Sequence, residues 1–222
     1  SGAAADDARA SDEELAEARA ALDALSAEER ASTDGRMRAA RLALASGQPD
    51  EAVRELAPLA RRNGAPAPLL ALYGQALLAA GQVEEAARAY ASSEARDATL
   101  PEALYGRAQM AVRGRNAREA FYHLDRLDRA LVVHDRPAGF RASALLLRAR
   151  AQRFAGNDAE ARRTFARVLA TGAAPPEAYF HFAEAHVGHD GRAAREAFAR
   201  YLELAPDGYY ARRARRALGM PE

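Results

Sequence analysis

The chain has 222 residues, a formal net charge of +1 and no cysteine, so disulfides, thiolate zinc sites and thiol catalysis are excluded. The balanced charge argues against bulk binding of nucleic acid, and no apolar run approaches the ~20 residues that span a bilayer. Apolar residues make up 49% of the chain but aromatics only 7%, and alanine and leucine dominate, which suits closely packed helices rather than a sheet sandwich.

Every basic residue is arginine. Arginine and alanine share GC-rich codons, so a GC-rich bacterial genome is expected. Residues 1–10 are small and polar and read as a disordered tail. Ser1-Gly2 resembles the scar of a cleaved tag, so removal of upstream sequence is expected, and the residues given carry no signal-peptide pattern. Ser11-Asp12-Glu13-Glu14 opens an acidic N-terminal helix within residues 11–33, with Ser11 as N-cap and Glu14 completing a capping box. Leu15, Ala18, Leu22 and Leu25 give it an apolar stripe, and it is expected to run to about Ala31. Residues 1–33 hold nine acids and three arginines, a net of −6. Residues 192–222 hold seven arginines and four acids, a net of +3. The chain is thus acidic first and basic last, and screening over ~8 Å keeps the two ends electrically independent.

Helical hairpins follow. A helix from Arg36 to Ser46 ends at Gly47, and Pro49 starts its partner, with Val53, Leu56 and Leu59 inward. From Pro68, Leu70, Tyr73, Gly74 and Leu77 mark one helix, Gly81 stops it, and Val83, Ala86, Ala87 and Tyr90 mark the next. From Pro101, Leu104, Ala108 and Ala111 precede Gly114, and Ala117, Ala120, Phe121 and Leu124 follow it. A fourth hairpin carries Leu145, Ala149, Gly156, Ala161 and Phe165, and a fifth carries Tyr179, Ala183, Gly191, Ala194, Phe198 and Leu202. The equivalent alanines Ala52, Ala86, Ala120, Ala161 and Ala194 are spaced 34, 34, 41 and 33 apart. The long step adds seven residues around Leu131 to Gly139, nearly two helical turns. A lengthened second helix and then a loop broken by Pro137 and Gly139 are expected there. Tyr209 to Leu218 is a short arginine-rich helix, with Tyr209, Tyr210, Ala214 and Leu218 expected inward and Arg212, Arg213, Arg215 and Arg216 outward.

The near-constant period, with small residues such as Gly74 and Ala86 where helices cross, resembles the tetratricopeptide repeat (TPR) family. The resemblance covers residues 34–206 as five repeats, about 34–66, 67–100, 101–140, 141–175 and 176–206, with residues 207–222 as a capping helix. It implies an all-α fold, a right-handed α-solenoid of helix–turn–helix repeats. Sel1-like repeats have longer periods and different glycine placement, and match less well. Arg36, Arg107 and Arg148 depart from the family's apolar positions, so looser packing or snorkelling arginine stems are expected there. The aromatics Tyr90, Phe121, Tyr122, Phe165, Phe198 and Tyr201 fall at packing positions of the second helices rather than forming a base-stacking platform.

The resemblance implies a non-catalytic module that binds a partner peptide or helix in a concave groove lined by the first helices. Carried onto this sequence, the groove positions are Met37, Arg38 and Arg41; Ala71, Leu72, Gln75 and Leu78; Tyr105, Gln109 and Arg113; Leu146, Leu147, Arg150 and Arg153; and Phe180, His181 and Glu184. Arginine grips carboxylates with paired hydrogen bonds, so the expected partner is another protein offering an acidic or C-terminal peptide. Arg41, Arg113, Arg150 and Arg153 are the expected clamps, with Leu72, Tyr105, Leu146 and Phe180 as apolar contacts. The alternative for each arginine is a solvated charge or a pair with a nearby acid. Arg41 stands where the family's chaperone-binding clamp wants asparagine, which argues against an EEVD-like tail. Self-association of acidic against basic ends, occupation of the groove by the chain's own N-terminal helix, or service as the helical appendage of a larger enzyme or envelope complex, are alternative roles. No cofactor and no metal are expected. His186 and His189 share helical spacing but His189 falls in a turn, and His134-Asp135 and His189-Asp190 lack the further ligands of an HD-type metal site. No nucleophile elbow or phosphate loop appears, so no enzyme activity is expected. A bacterial cytoplasmic location and the periplasmic side of the envelope fit equally.

Overall fold

The structure, a computed structural model, describes residues 12–220. The expected tail and the Ser11 cap lie outside the described residues. Thirteen helices and no strands are found among the described residues. They fall into two compact units, one up to Arg107 and one from Ala108.

The first unit holds α1 (Asp12–Asp23), α2 (Ala27–Ala31), α3 (Thr33–Ala45), α4 (Pro49–Ala60), α5 (Ala67–Ala79), α6 (Val83–Arg96) and the start of α7 (Pro101–Arg113). The single acidic helix expected to reach Ala31 is two helices. The cause is a second capping box. Ser26 Oγ accepts from Glu29 N at 3.2 Å, and the Glu29 carboxylate accepts from Ser26 N at 2.8 Å. The bond from Ser26 N, and after it the Ser26 hydroxyl, hold the Glu29 carboxyl below the usual carboxylate range. Ser32 then caps α3 through Gly35 N.

α3 packs on α4, α4 on α5 and α5 on α6. Their core joins Met37, Ala40, Ala43, Ala52, Leu56 and Leu59 to Leu69, Leu70 and Ala76. Alanine at the crossing points lets the helix axes approach, so neighbouring leucines close the core. Tyr90 of α6 is the largest side chain in this unit with no exposed surface to speak of. Its ring lies against two glycines. A Cβ at Gly74 would stand 2.9 Å from the ring, and one at Gly106 of α7 would overlap it. The end of α6 also fastens the approach to α5. Ser93 Oγ donates to Ala67 O, and Arg96 Nη1 to Ala65 O, both at 2.8 Å.

The second unit holds the end of α7, then α8 (Ala117–Val133), α9 (Ala138–Phe154), α10 (Asp158–Ala170), α11 (Pro176–His186), α12 (Gly191–Leu204) and α13 (Ala211–Leu218). α9 packs on α8 and α10, α11 on α10 and α12, and α13 on α12. The seven extra residues are shared. α8 has 17 residues against 14 in α6, and α9 has 17 against 13 in α5. The expected broken loop therefore shrinks to residues 134–137, and Gly139 lies in the first turn of α9 rather than in a loop. Arg141 fastens this junction, donating to Leu131 O at 3.1 Å, to Arg136 O at 3.2 Å and to the Asp135 carboxylate at 3.2 Å. Val132 and Val133 stand exposed at the end of α8.

The five spaced alanines are all buried. The turns between paired helices differ from expectation in two places. Gly47, Gly81 and Gly156 take left-handed backbone, φ +72°, +79° and +85°. In the turn before α8 that conformation falls on Arg115, φ +54°, not on Gly114. Asn116 N still reaches back to Ala111 O at 2.9 Å, as Gln48, Gln82 and Asn157 do in their turns, so the closure is kept one residue later than expected. Before α12 the turn closes without a left-handed residue. Asp190 caps the helix by accepting from Arg192 N and Ala193 N, and Gly191 is its first residue. Val83, Tyr122 and Tyr209, expected inward, are exposed. The Tyr122 ring instead carries the Arg126 guanidinium 5.4 Å from its centroid.

Candidate functional site

In the first unit, Arg41 is exposed on α3 and Gln75 on α5, and Tyr105 of α7 is half-buried. Met37, Ala71, Leu72 and Leu78 are buried, with Leu72 part of the α3–α5 core. The apolar middle expected to meet a peptide is packing in this unit. Its accessible groups are polar.

In the second unit, Gln109 and Arg113 of α7 and Arg150 and Arg153 of α9 are half-buried. Leu146 and Leu147 are buried, and so are Phe180 at 1% exposure and His181 at 8%. Leu72, Leu146, Phe180 and His181 are therefore core residues in this conformation, not surfaces offered to a partner. The physical reason is shared. Small residues beside them, such as Ala76, Ala149 and Ala183, draw neighbouring helices close enough to cover them.

Arg148, expected to loosen its hairpin, instead reaches two aspartates of α8, Asp125 at 2.8 Å and Asp128 at 2.9 Å, with only 18% of its side chain exposed. A half-buried guanidinium with two carboxylate partners needs no outward snorkelling.

The strongest electrostatic feature lies on α11. Glu184 has one oxygen 2.7 Å from Arg153 Nη1 and the other against Arg213 Nη2 of α13. His181 Nδ1 stands 3.7 Å from the carboxylate. Burial alone would raise the Glu184 pKa. The His181 ring close by, the hydrogen bond from Arg153 and the positive charges of Arg153 and Arg213 outweigh it and hold the group at about 2. Arg213 faces water as expected, with 61% of its side chain exposed, and its guanidinium also lies over the Phe180 ring, 5.1 Å from its centroid. Tyr210 stacks on Phe180 at 4.2 Å with the planes 10° apart, and meets His181 edge-on at 5.1 Å. Tyr210 N donates to the Tyr201 hydroxyl at 2.9 Å. All three α11 positions assigned to the groove, Phe180, His181 and Glu184, thus lie under or against α13. Arg213 is the functional candidate that sequence reasoning missed. The signal was present, because residue 213 follows Tyr210 by three and shares its helix face.

His186 Nδ1 bonds the Phe182 carbonyl at 2.8 Å, its ring stacks on Phe182, and its centroid is 6.2 Å from that of His189. Among the described residues no three histidine, aspartate or glutamate side chains are grouped to hold a metal ion, and no helix is long and apolar enough to cross a membrane.

Against solved structures, 93% of this chain matches a crystal structure of the APC/C hetero-tetramer Cut9–Hcn1, with a TM-score of 0.79 and 16% identity. The fold is that of tetratricopeptide repeat proteins. A thermophilic TPR protein of Thermus thermophilus matches over 85% of this chain and all of its own, with a TM-score of 0.71 and 19% identity. A tetratricopeptide repeat protein of Parabacteroides merdae matches over 95% of this chain and 88% of its own, at 0.58 and 18%. The chain spans 40% of the length of the first of these. No family model and no curated protein sequence matches the chain.

Proposed function

We propose that the chain is a non-catalytic protein-binding module that takes an acidic or C-terminal peptide of a partner on the first helices of its five TPR hairpins. The observation that carries the reading is the TPR fold itself, matched over 93% of the chain by a protein whose structure is a hetero-tetramer with Hcn1. Groove positions whose polar side chains are at least partly accessible support the reading. In the first unit these are Arg41, Gln75 and Tyr105, and in the second Gln109, Arg113 and Arg150. Arg153 pairs with Glu184 on α11. A planar guanidinium matches a carboxylate with two parallel bonds, which favours acidic side chains or a chain terminus over apolar anchors.

The test replaces Arg113 and Arg150 with glutamate, confirms helicity by circular dichroism, and measures affinity by calorimetry for a partner recovered by pull-down. Reversing two clamp charges should weaken binding at least about tenfold, since each lost charged hydrogen bond is worth ~1.5–3 kcal/mol. Unchanged affinity in the folded variant removes the clamp.

A further inference from the structure

We infer that α13 is a self-supplied occupant of a docking face on α11 and α12. The partner this face takes is a short amphipathic helix carrying an aromatic residue and, three positions later, an arginine. This rests on the protein-binding reading above and names one face and its chemistry.

Three observations carry it. First, α13 covers positions that the TPR pattern assigns to recognition. Tyr210 lies on Phe180 and His181, and Arg213 meets both Phe180 and Glu184. The aromatic residue and the arginine are the two reading groups, one for an aromatic floor and one for a carboxylate.

Second, α13 is weakly held. It has eight residues, four of them arginine, packed into about two turns. Helices this short are unstable alone, and like charges at neighbouring positions disfavour them further. Its buried apolar contribution is Tyr210, Ala211 and Ala214, with Leu218 partly covered. Elements with so little buried surface open well below the free energy of global unfolding.

Third, Glu184 is not stranded when α13 leaves. Stripping a buried carboxylate of its only cation costs several kcal/mol. Here the second oxygen stays on Arg153, with His181 alongside, so the site stays electrostatically complete without Arg213. What opens is the Phe180 ring on which Tyr210 stacks, with the Tyr201 ring beside it, 5.7 Å from Phe180 and 6.2 Å from Tyr210. An exposed aromatic patch beside a fixed carboxylate is a docking surface for an aromatic-plus-arginine helix.

The test uses the full chain and needs no natural partner, so its failure is separate from failure of the arginine-clamp reading. Tyr210→Ala with Arg213→Ala removes both anchors. A labelled synthetic peptide of residues 207–220 is titrated up to about 1 mM, the effective concentration a short linker provides. The variant should bind the peptide at least about tenfold more tightly than wild type, in which α13 occupies the face. A peptide carrying Tyr210→Ala should not bind. Equal binding to wild type and variant, or none to the folded variant, overturns the proposal. Should the double variant lose its fold, Arg213→Ala alone is read by amide exchange. Amides of α13 should exchange several-fold faster than in wild type, while Arg212→Ala leaves them unchanged. Unchanged exchange in Arg213→Ala overturns the latch.

Discussion

Gly106→Ala isolates one packing decision. In an exposed helix interior the change from glycine to alanine stabilises by about 1 kcal/mol, because glycine loses more backbone freedom. At Gly106 the new Cβ would overlap Cζ and Cε1 of the Tyr90 ring and lie 2.6 Å from its hydroxyl oxygen. The ring has 2% of its surface exposed, so it has no solvent side to move toward. The ring is also crowded by Gly74, where an added Cβ would stand only 2.9 Å from Cδ1 and Cε1. Overpacking of this kind costs about 1–3 kcal/mol, and the upper end applies when the neighbour is rigid and enclosed. Setting ~3 kcal/mol of overlap against ~1 kcal/mol of helix preference leaves a net loss of about 2 kcal/mol. For a chain this long that lowers the melting temperature by about 4–8 °C. Urea unfolding followed by circular dichroism reads the loss. The decisive control is Tyr90→Leu, the residue type already present at the matching positions Leu56 and Leu124. With leucine there, Gly106→Ala should be neutral or stabilising, giving a coupling of about 2–3 kcal/mol between the sites. Equal losses in both backgrounds, or no loss with Tyr90 present, would refute the argument.

Two further outcomes are expected. Arg115→Gly should raise stability by about 0.5–1 kcal/mol, read by the urea midpoint, because a left-handed non-glycine backbone at φ +54° is strained; a fall would show that the Arg115 side chain contributes more than its backbone costs. Glu184 has a lowered folded-state pKa, so its contribution is complete above the unfolded value of 4.5 and is lost as pH falls toward about 2. The unscreened shift corresponds to ~3 kcal/mol; with Arg153 and Arg213 partly in solvent, about 1–2 kcal/mol is expected. Glu184→Gln should flatten this part of the pH–stability curve between pH 4.5 and 2, and an unchanged curve would show that other carboxylates set it.

Period and small residues made the fold legible. Ala52, Ala86, Ala120, Ala161 and Ala194 recur because each sits where two axes must approach, and all five are buried. Such a constraint is local and repeats, so it leaves a mark in the residue order. The N-terminal break was also written locally, in Ser26 and Glu29, but an apolar stripe running through Leu22 and Leu25 masks a cap lying between two helical segments. The seven extra residues were countable but not assignable. One added turn on each of α8 and α9 has the same length as two added turns on one of them, and the choice rests on where Arg141 finds its acceptors.

The site was less legible because its decisive contacts join residues far apart in sequence. Arg153 and Glu184 are separated by 31 positions, and Arg213 and Glu184 by 29. No rule of helix spacing reports which of several arginines a carboxylate will choose. Position within a repeat does tell which helix face a residue occupies, and it placed Phe180, His181 and Glu184 on one face of α11. It does not tell what lies on that face. For the last hairpin the answer is the chain's own next helix. The one signal available was periodicity within α13 itself. Once Tyr210 is placed inward, Ala214 must follow it and Arg213 falls at the edge of that side, since residues three and four apart are neighbours on a helix. The Arg213 side chain stays 61% exposed, yet its guanidinium meets the Glu184 carboxylate. A capping role alone asks only for apolar cover on the inner side and charge on the outer. The pairing of Arg213 with Glu184 exceeds that requirement, and it is the reason to treat α13 as a ligand held in place rather than as a lid.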